Sequence, residues 1–166
     1  MFSVDKYINS IKDNLEKQSA LLVRNLRKVI SYKFSSDIEI LDFIVFIEPI
    51  RFELSIRLFS MDKEANEVFY NGDDSSVFAG SEDVFPEIKY FHINNNQLED
   101  FFDFHEQNEN ILDLQEQKAF TDWFIHCWEK AGGTVLTLPS YFVFNDTDKS
   151  YDLRSNIWIE DEEKWS

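Results

Sequence analysis

The sequence predicts an α+β fold: a mainly antiparallel sheet of four to six strands, flanked by a long N-terminal helix and two central helices and closed by a C-terminal β-hairpin. Three observations predict it. Apolar residues recur every three or four positions from Val4 to Val29, and a helical pattern returns from Asn96 to Gly133. Between these blocks, Ile50, Phe52, Leu54, Ile56 and Leu58 alternate with Arg51, Glu53, Ser55 and Arg57, the period-two pattern of a strand with one wet face. After Gly133, two β-rich runs flank the turn "NDTDK".

The N-terminal element reads as one helix from about residue 4 to about 31, roughly 40 Å long at 1.5 Å per residue. Val4, Ile8, Ile11, Leu15, Leu22, Leu26 and Val29 form its apolar stripe, and Gln18 interrupts the seam. Ser3 is placed to cap its first turn, and Lys28 and Lys33 lie near its C-terminal end, where the helix dipole favours cations. Lys17, Arg24 and Lys28 fall on one side and are expected to pair with the acidic body of the protein.

Ile38 to Ile47 is apolar on both faces at its middle and reads as the more central strand. Glu48-Pro49 breaks it from the alternating strand, because proline has no N–H to give a ladder. Asn71-Gly72 is the strongest hairpin signal in the chain. "AGSEDVFPE" reads as a loop, and Ile88 to Ile93 as a further strand.

From Asn96 onward the helical phase shifts. Phe101, Phe104, Ile111 and Leu112 share one face; Phe120, Trp123, Phe124, Cys127, Trp128 and Ala131 share another. One straight helix would have to bury both, so two helices are expected, with a break near Asp113. "NQLE" (Asn96 to Glu99) and "DLQE" (Asp113 to Glu116) resemble capping boxes for the two starts, and Gly132-Gly133 a C-terminal cap. Strands are expected at Ser140–Phe144 and Ser150–Ile159. One domain is expected over residues 1–159, followed by an acidic, mobile tail over 160–166.

The bulk numbers narrow the function. Hydrophobic residues make up 43% of 166, enough for a real core. The formal net charge is −16, unevenly spread. Residues 1–34 carry seven Lys/Arg against three Asp/Glu, and the remainder nine against twenty-nine. So acidic a body repels phosphate backbones, which disfavours nucleic acid and favours a basic protein partner. The longest apolar run, Phe43 to Ile47, is too short to span a bilayer. A single cysteine permits no internal disulfide, and "MFSVDKYINS" lacks a secretory pattern; both suit a cytoplasmic location.

The segment most suggestive of chemistry is "DWFIHCWEKAGG", Asp122 to Gly133. Helical projection places Cys127 at the centre of the apolar face and His126 about 100° away on the polar side, beside Asp122 and Glu129. A nucleophilic cysteine needs a base in reach and room to ionise, so Cys127 reads as a core residue. His126 reads as a surface residue near Asp122 and Lys130. "HEQNE" falls one histidine short of the zinc-protease helix motif. His105 and Glu109 at i,i+4 offer a metal pair without a third ligand. "NDTDKSYD" lacks the glycine and terminal glutamate of a calcium loop, and Asx turns account for it. Nucleotide-binding loops, a serine elbow and paired CxxC motifs are absent.

What remains is an acidic stripe: Glu99, Asp103, Glu106 and Asp113, opposite the apolar face of the first central helix. Trp158, Tyr151 and Trp165 lie near the acidic end and are the aromatic candidates for contact. In size, acidity and lack of a catalytic pattern the chain resembles the small immunity proteins of bacterial toxin systems, a likeness of composition that transfers no residues. It implies a non-enzymatic protein-binding domain without cofactor that caps a basic toxin or similar partner. The alternatives are a metal-assisted hydrolase around His105 and Glu109, and an assembly module built on the N-terminal helix.

Overall fold

A six-stranded sheet in the order β5-β3-β2-β6-β7-β8 organises the protein, and four of its five helices lie along the chain on either side of the first three long strands. The computed structural model describes all 166 residues. In chain order the elements are α1 (Val4–Glu16), α2 (Ser19–Ile30), β1 (Lys33–Phe34), β2 (Ile40–Glu48), β3 (Glu53–Met61), β4 (Val77–Phe78), β5 (Ser81–Lys89), α3 (Leu98–Gln107), α4 (Glu109–Ala131), β6 (Ser140–Phe144), β7 (Lys149–Asp152), β8 (Ile157–Glu160) and α5 (Asp161–Trp165). The fold is α+β, as the sequence predicts. Every neighbouring pair in the large sheet is antiparallel except β2 and β6, which run parallel at its centre. A two-stranded parallel ladder joins β1 to β4.

The alternation of β2 explains which face the helices cover. Leu41, Phe43 and Val45 point into one core of 33 buried residues, together with Leu54, Ile56 and Leu58 of β3 and Phe142 and Phe144 of β6. The stripes of α1, α2 and α4 complete that core. On the opposite face a small cluster of Ile40, Tyr141 and Val143 is covered by Trp165 and neighbours. Aromatic rings fill much of the main core: Phe43 meets Phe124 and Trp128, and Phe124 stacks on Phe142 with centroids 4.5 Å apart.

The N-terminal helix is two helices rather than one. Hydrogen bonding tightens at Lys17 and Gln18, where Gln18 N–H donates to the Leu15 carbonyl at 2.9 Å. Gln18 cannot continue the apolar seam, and the bend keeps both stripes against α4. Ser19, just past the bend, is buried and accepts a 3.0 Å hydrogen bond from the Trp123 indole. Of the three cations expected to pair inward, Lys28 does so, with Glu82 at 3.4 Å; Lys17 and Arg24 have no acidic partner.

The central helices are two, as the phase shift requires, but the break is at Asn108, not Asp113. Asn108 leaves helical geometry (φ −118°, ψ 18°), and its side-chain amide donates to the Phe104 carbonyl at 2.8 Å, satisfying the end of α3. Asp113 therefore lies within α4, and "DLQE" starts nothing. Asn96 makes no cap either; α3 follows a short 3₁₀ turn over Asn95–Gln97. Gly132 does end α4, in the left-handed region at φ 88°.

Five strand and turn readings change. "AGSEDVFPE" is mostly strand β5, and no strand runs from Ile88 to Ile93. Pro86 is tolerated because β5 is an edge strand and the β3–β5 register shifts around it. Ile50 leaves the alternating strand for the turn before β3. Asn71-Gly72 makes no hairpin; the tight turn after β3 is at Asp62–Asn66, where the Asp62 carboxylate accepts from the Glu64 and Asn66 N–H groups. The strand expected over Ser150–Ile159 is split by a turn in which Asp152 accepts from Arg154 and Ser155 N–H.

The acidic end, expected as a mobile tail, forms α5 and is seated on the sheet. A reciprocal capping box between Glu160 and Glu163 starts it. Lys164 is buried against Asp42.

Candidate functional site

The face built by α3 and the first half of α4 combines an unusual charge pattern with a cleft. Between Lys89 and Lys118 the chain has no Lys or Arg, yet it carries Glu99, Asp100, Asp103, Glu106, Glu109, Asp113 and Glu116. Glu99, Asp103 and Glu106 are exposed on α3, and none pairs with a basic side chain. Asp113 is exposed too, but stands on α4 across the Asn108 break. The four stripe residues thus belong to two helices.

Beside the stripe opens a cleft of about 200 Å³. Its floor is aromatic: Tyr7, Phe52, Tyr90 and Phe101. Its rim carries two apolar side chains left in solvent, Ile50 (76% exposed) and Phe102 (37%). Phe102 stacks on Phe52, with centroids 5.8 Å apart and planes 12° from parallel. Phe52 holds this position with a positive φ of 55°, a conformation rare for a bulky residue. Phe102 also flanks the acidic side of α3, since Glu99 and Glu106 follow it by less than a quarter turn in projection.

At the inner end lie His105 and Glu116. The imidazole Nε2 is 2.9 Å from Glu116 Oε1, and the Tyr7 hydroxyl donates to Glu116 Oε2 at 3.0 Å. Burial raises the Glu116 carboxyl above the usual range, opposed by His105 and Tyr7. Burial, then the nearby Glu116 charge, holds the Tyr7 phenol far above its ordinary range, so it remains a donor. The expected pairing of His105 with Glu109 does not form. Asn108 ends the helix between them, so the i,i+4 relation is lost, and the imidazole turns instead to Glu116. That partner, eleven residues on, gave no spacing signal in the sequence.

"DWFIHCWEKAGG" resolves as core. Cys127 is fully buried, its thiol 3.9 Å from the Ser19 carbonyl, and burial raises its pKa. His126 is exposed, and Asp122 bonds Lys118 at 2.8 Å rather than His126.

A second groove lies on the opposite side of α4, lined by Leu114, Gln117, Phe144 and Trp158. Trp158 and Leu114 are exposed there, and Trp158 stacks on Phe144 while meeting Tyr151 edge-on. Its lining carries one acid and one base, Asp148 and Lys149, and Lys149 lies 4.0 Å from Glu160. Trp165, the third aromatic candidate, is half-buried beneath Lys164. No helix is long and apolar enough to cross a membrane.

No protein-family model, curated protein or solved structure matches this chain.

Proposed function

We propose that this protein is a non-enzymatic binding domain that docks a basic protein partner on the α3–α4 face, in the manner of an immunity protein capping its toxin in the cytoplasm. The carrying observation is the uncompensated run of carboxylates beside a cleft whose rim exposes Ile50 and Phe102. Exposed like charges attract and orient an oppositely charged surface. Desolvated aromatic anchors then supply much of the binding energy. Glu99, Asp103, Glu106 and Asp113 provide the first part, and Phe102 with Ile50 the second. The charge-balanced groove at Trp158 offers apolar contact without such steering.

The test is capture on immobilised protein at low salt, followed by a salt step. Wild type is expected to retain a basic protein that salt releases. Combined Glu99→Lys, Asp103→Lys and Glu106→Lys substitutions should abolish capture, and Phe102→Ser should weaken it, with Trp158→Ala unaffected. Capture that resists salt and survives the charge reversals, or that disappears only in Trp158→Ala, would place the interface elsewhere.

A further inference from the structure

We propose that His105, Asp113 and Glu116 form a binding site for one divalent first-row transition ion, of which Zn²⁺ is the probe of choice. The ligating atoms of the three side chains all lie within 4.8 Å of one another. They come from both sides of the Asn108 break: His105 from the last turn of α3, Asp113 and Glu116 from one face of α4, three residues apart. The fold assembles this set; the sequence spacing does not.

The chemistry of the donors selects the ion. An imidazole with two carboxylates suits Zn²⁺ and its first-row neighbours, whereas Mg²⁺ and Ca²⁺ prefer all-oxygen shells. Neither carboxylate is paired with a Lys or Arg, so the cluster gathers two acids around one imidazole. A dication would neutralise that charge in a half-buried setting, where electrostatic interactions are stronger than in bulk water.

Holding an ion requires small shifts of the three side chains, whose ligand atoms lie within 4.8 Å of one another. His105 Nε2 and Glu116 Oε1 stand 2.9 Å apart. Ligand bonds of about 2.0–2.2 Å in a tetrahedron require a separation of about 3.4 Å, an opening of about half an ångström. The Tyr7 hydroxyl holds the other Glu116 oxygen at 3.0 Å, which orients the carboxylate in the way outer hydrogen bonds orient metal ligands. Asp113 is exposed, so an ion can enter from solvent. His105 and Glu116 also line the aromatic cleft, so water can reach an ion held there. The site does not depend on the proposed partner, and its assay contains none.

The experiment is calorimetric titration of the purified, EDTA-treated 166-residue chain with ZnCl₂, alongside the visible spectrum on adding CoCl₂. One equivalent should bind, with a tetrahedral-type Co²⁺ absorption. His105→Ala and Asp113→Asn should each weaken Zn²⁺ by about tenfold or more. His126→Ala, on the exposed face of α4, should leave it unchanged. No stoichiometric binding by wild type, unchanged affinity in His105→Ala or Asp113→Asn, or loss in His126→Ala overturns the proposal. Circular dichroism checks each variant. Should His105→Ala fail to fold, Asp113→Asn decides the matter, because Asp113 is exposed and pairs with no basic group.

Discussion

The ammonium of Lys164 lies 3.0 Å from the carboxylate of Asp42, and both side chains are almost wholly buried, at 3% and 5% exposure. Asp42 stands on β2, at the centre of the sheet, on the face the long helices leave uncovered. Lys164 also donates to Ser150 Oγ at 2.8 Å, and Ser150 in turn donates to Asp161. The short helix α5 is thus fastened to strands β2 and β7 through one charged network. The Tyr141 and Trp165 rings both lie within cation–π distance of the ammonium, at 5.5 and 4.8 Å.

Breaking that pair should be costly. Lys164→Met leaves the Asp42 charge buried without its partner, and a loss of about 3–5 kcal/mol in denaturant unfolding is expected. The double variant Asp42→Leu/Lys164→Met should recover much of it, because two apolar groups leave no uncompensated charge. A double variant as unstable as the single one would show that α5 is held by something other than this pair.

The same pair sets a pH dependence. Burial raises the Asp42 carboxyl, and Lys164 opposes that rise. Without Lys164 the carboxyl should rise further. A carboxyl raised in the folded state gives stability that is complete below its unfolded pKa and is lost as pH climbs through the folded value. The deficit of Lys164→Met should therefore be small near pH 3 and grow towards neutrality. Parallel unfolding curves of variant and wild type across that range measure it; a deficit that shrinks on raising pH contradicts the assignment.

Cys127 should be chemically silent in the native protein. The thiol is buried, and burial disfavours its thiolate. Ellman's reagent should report no free thiol until denaturant is added, and one thereafter. Rapid native labelling would mean that α2 or α4 opens readily at Ser19.

The two glycines ending α4 should respond for different reasons. At Gly132 nothing stands within 4 Å of an added Cβ, but φ is 88°, so Gly132→Ala should cost about 1–2 kcal/mol of backbone strain. At Gly133 the angle is unexceptional, but an added Cβ would clash with the Trp128 ring. Gly133→Ala must displace that core indole and should cost about 1–3 kcal/mol, with a change in tryptophan fluorescence that Gly132→Ala lacks.

If the α3 face steers a basic partner, reversing Glu99, Asp103 and Glu106 should slow association by about tenfold or more at low salt, while Trp158→Ala leaves it unchanged. Stopped-flow or surface-based kinetics at two ionic strengths would show it. Equal rates for wild type and the reversed variant would remove the steering role.

Much of the fold was legible because it rests on local periodicity. The alternation through Phe52 to Leu58, the two faces around Phe101 and Phe124, and the glycine stop at Gly132 are carried by neighbours in the chain, and the elements follow from them. Placement of Cys127 in the core followed from the same projection. Breaks were harder. Gln18 shows only as a gap in the apolar seam, which one unbroken helix could also carry, and Asn108 ends α3 through a single side chain that leaves no mark on the pattern. The strand β5 was hidden by Pro86, which is harmless only because β5 lies at an edge, and edge position is a property of the whole sheet.

The sequence by itself determined the fold class, the acidity and its uneven spread, and the exclusion of a membrane-spanning helix. Only the tertiary structure decided which side chains stand beside one another. His105 of α3 meets Glu116 of α4 rather than Glu109, Asp113 lies beside Glu116 on α4, Phe102 rims a cleft floored by Tyr7 and Tyr90, and Lys164 reaches Asp42 across 122 positions. The physical reason is range. Helix and strand patterns arise from contacts within a few residues, whereas an ion pair, a ligand cluster or a cleft forms where chain topology brings distant segments together.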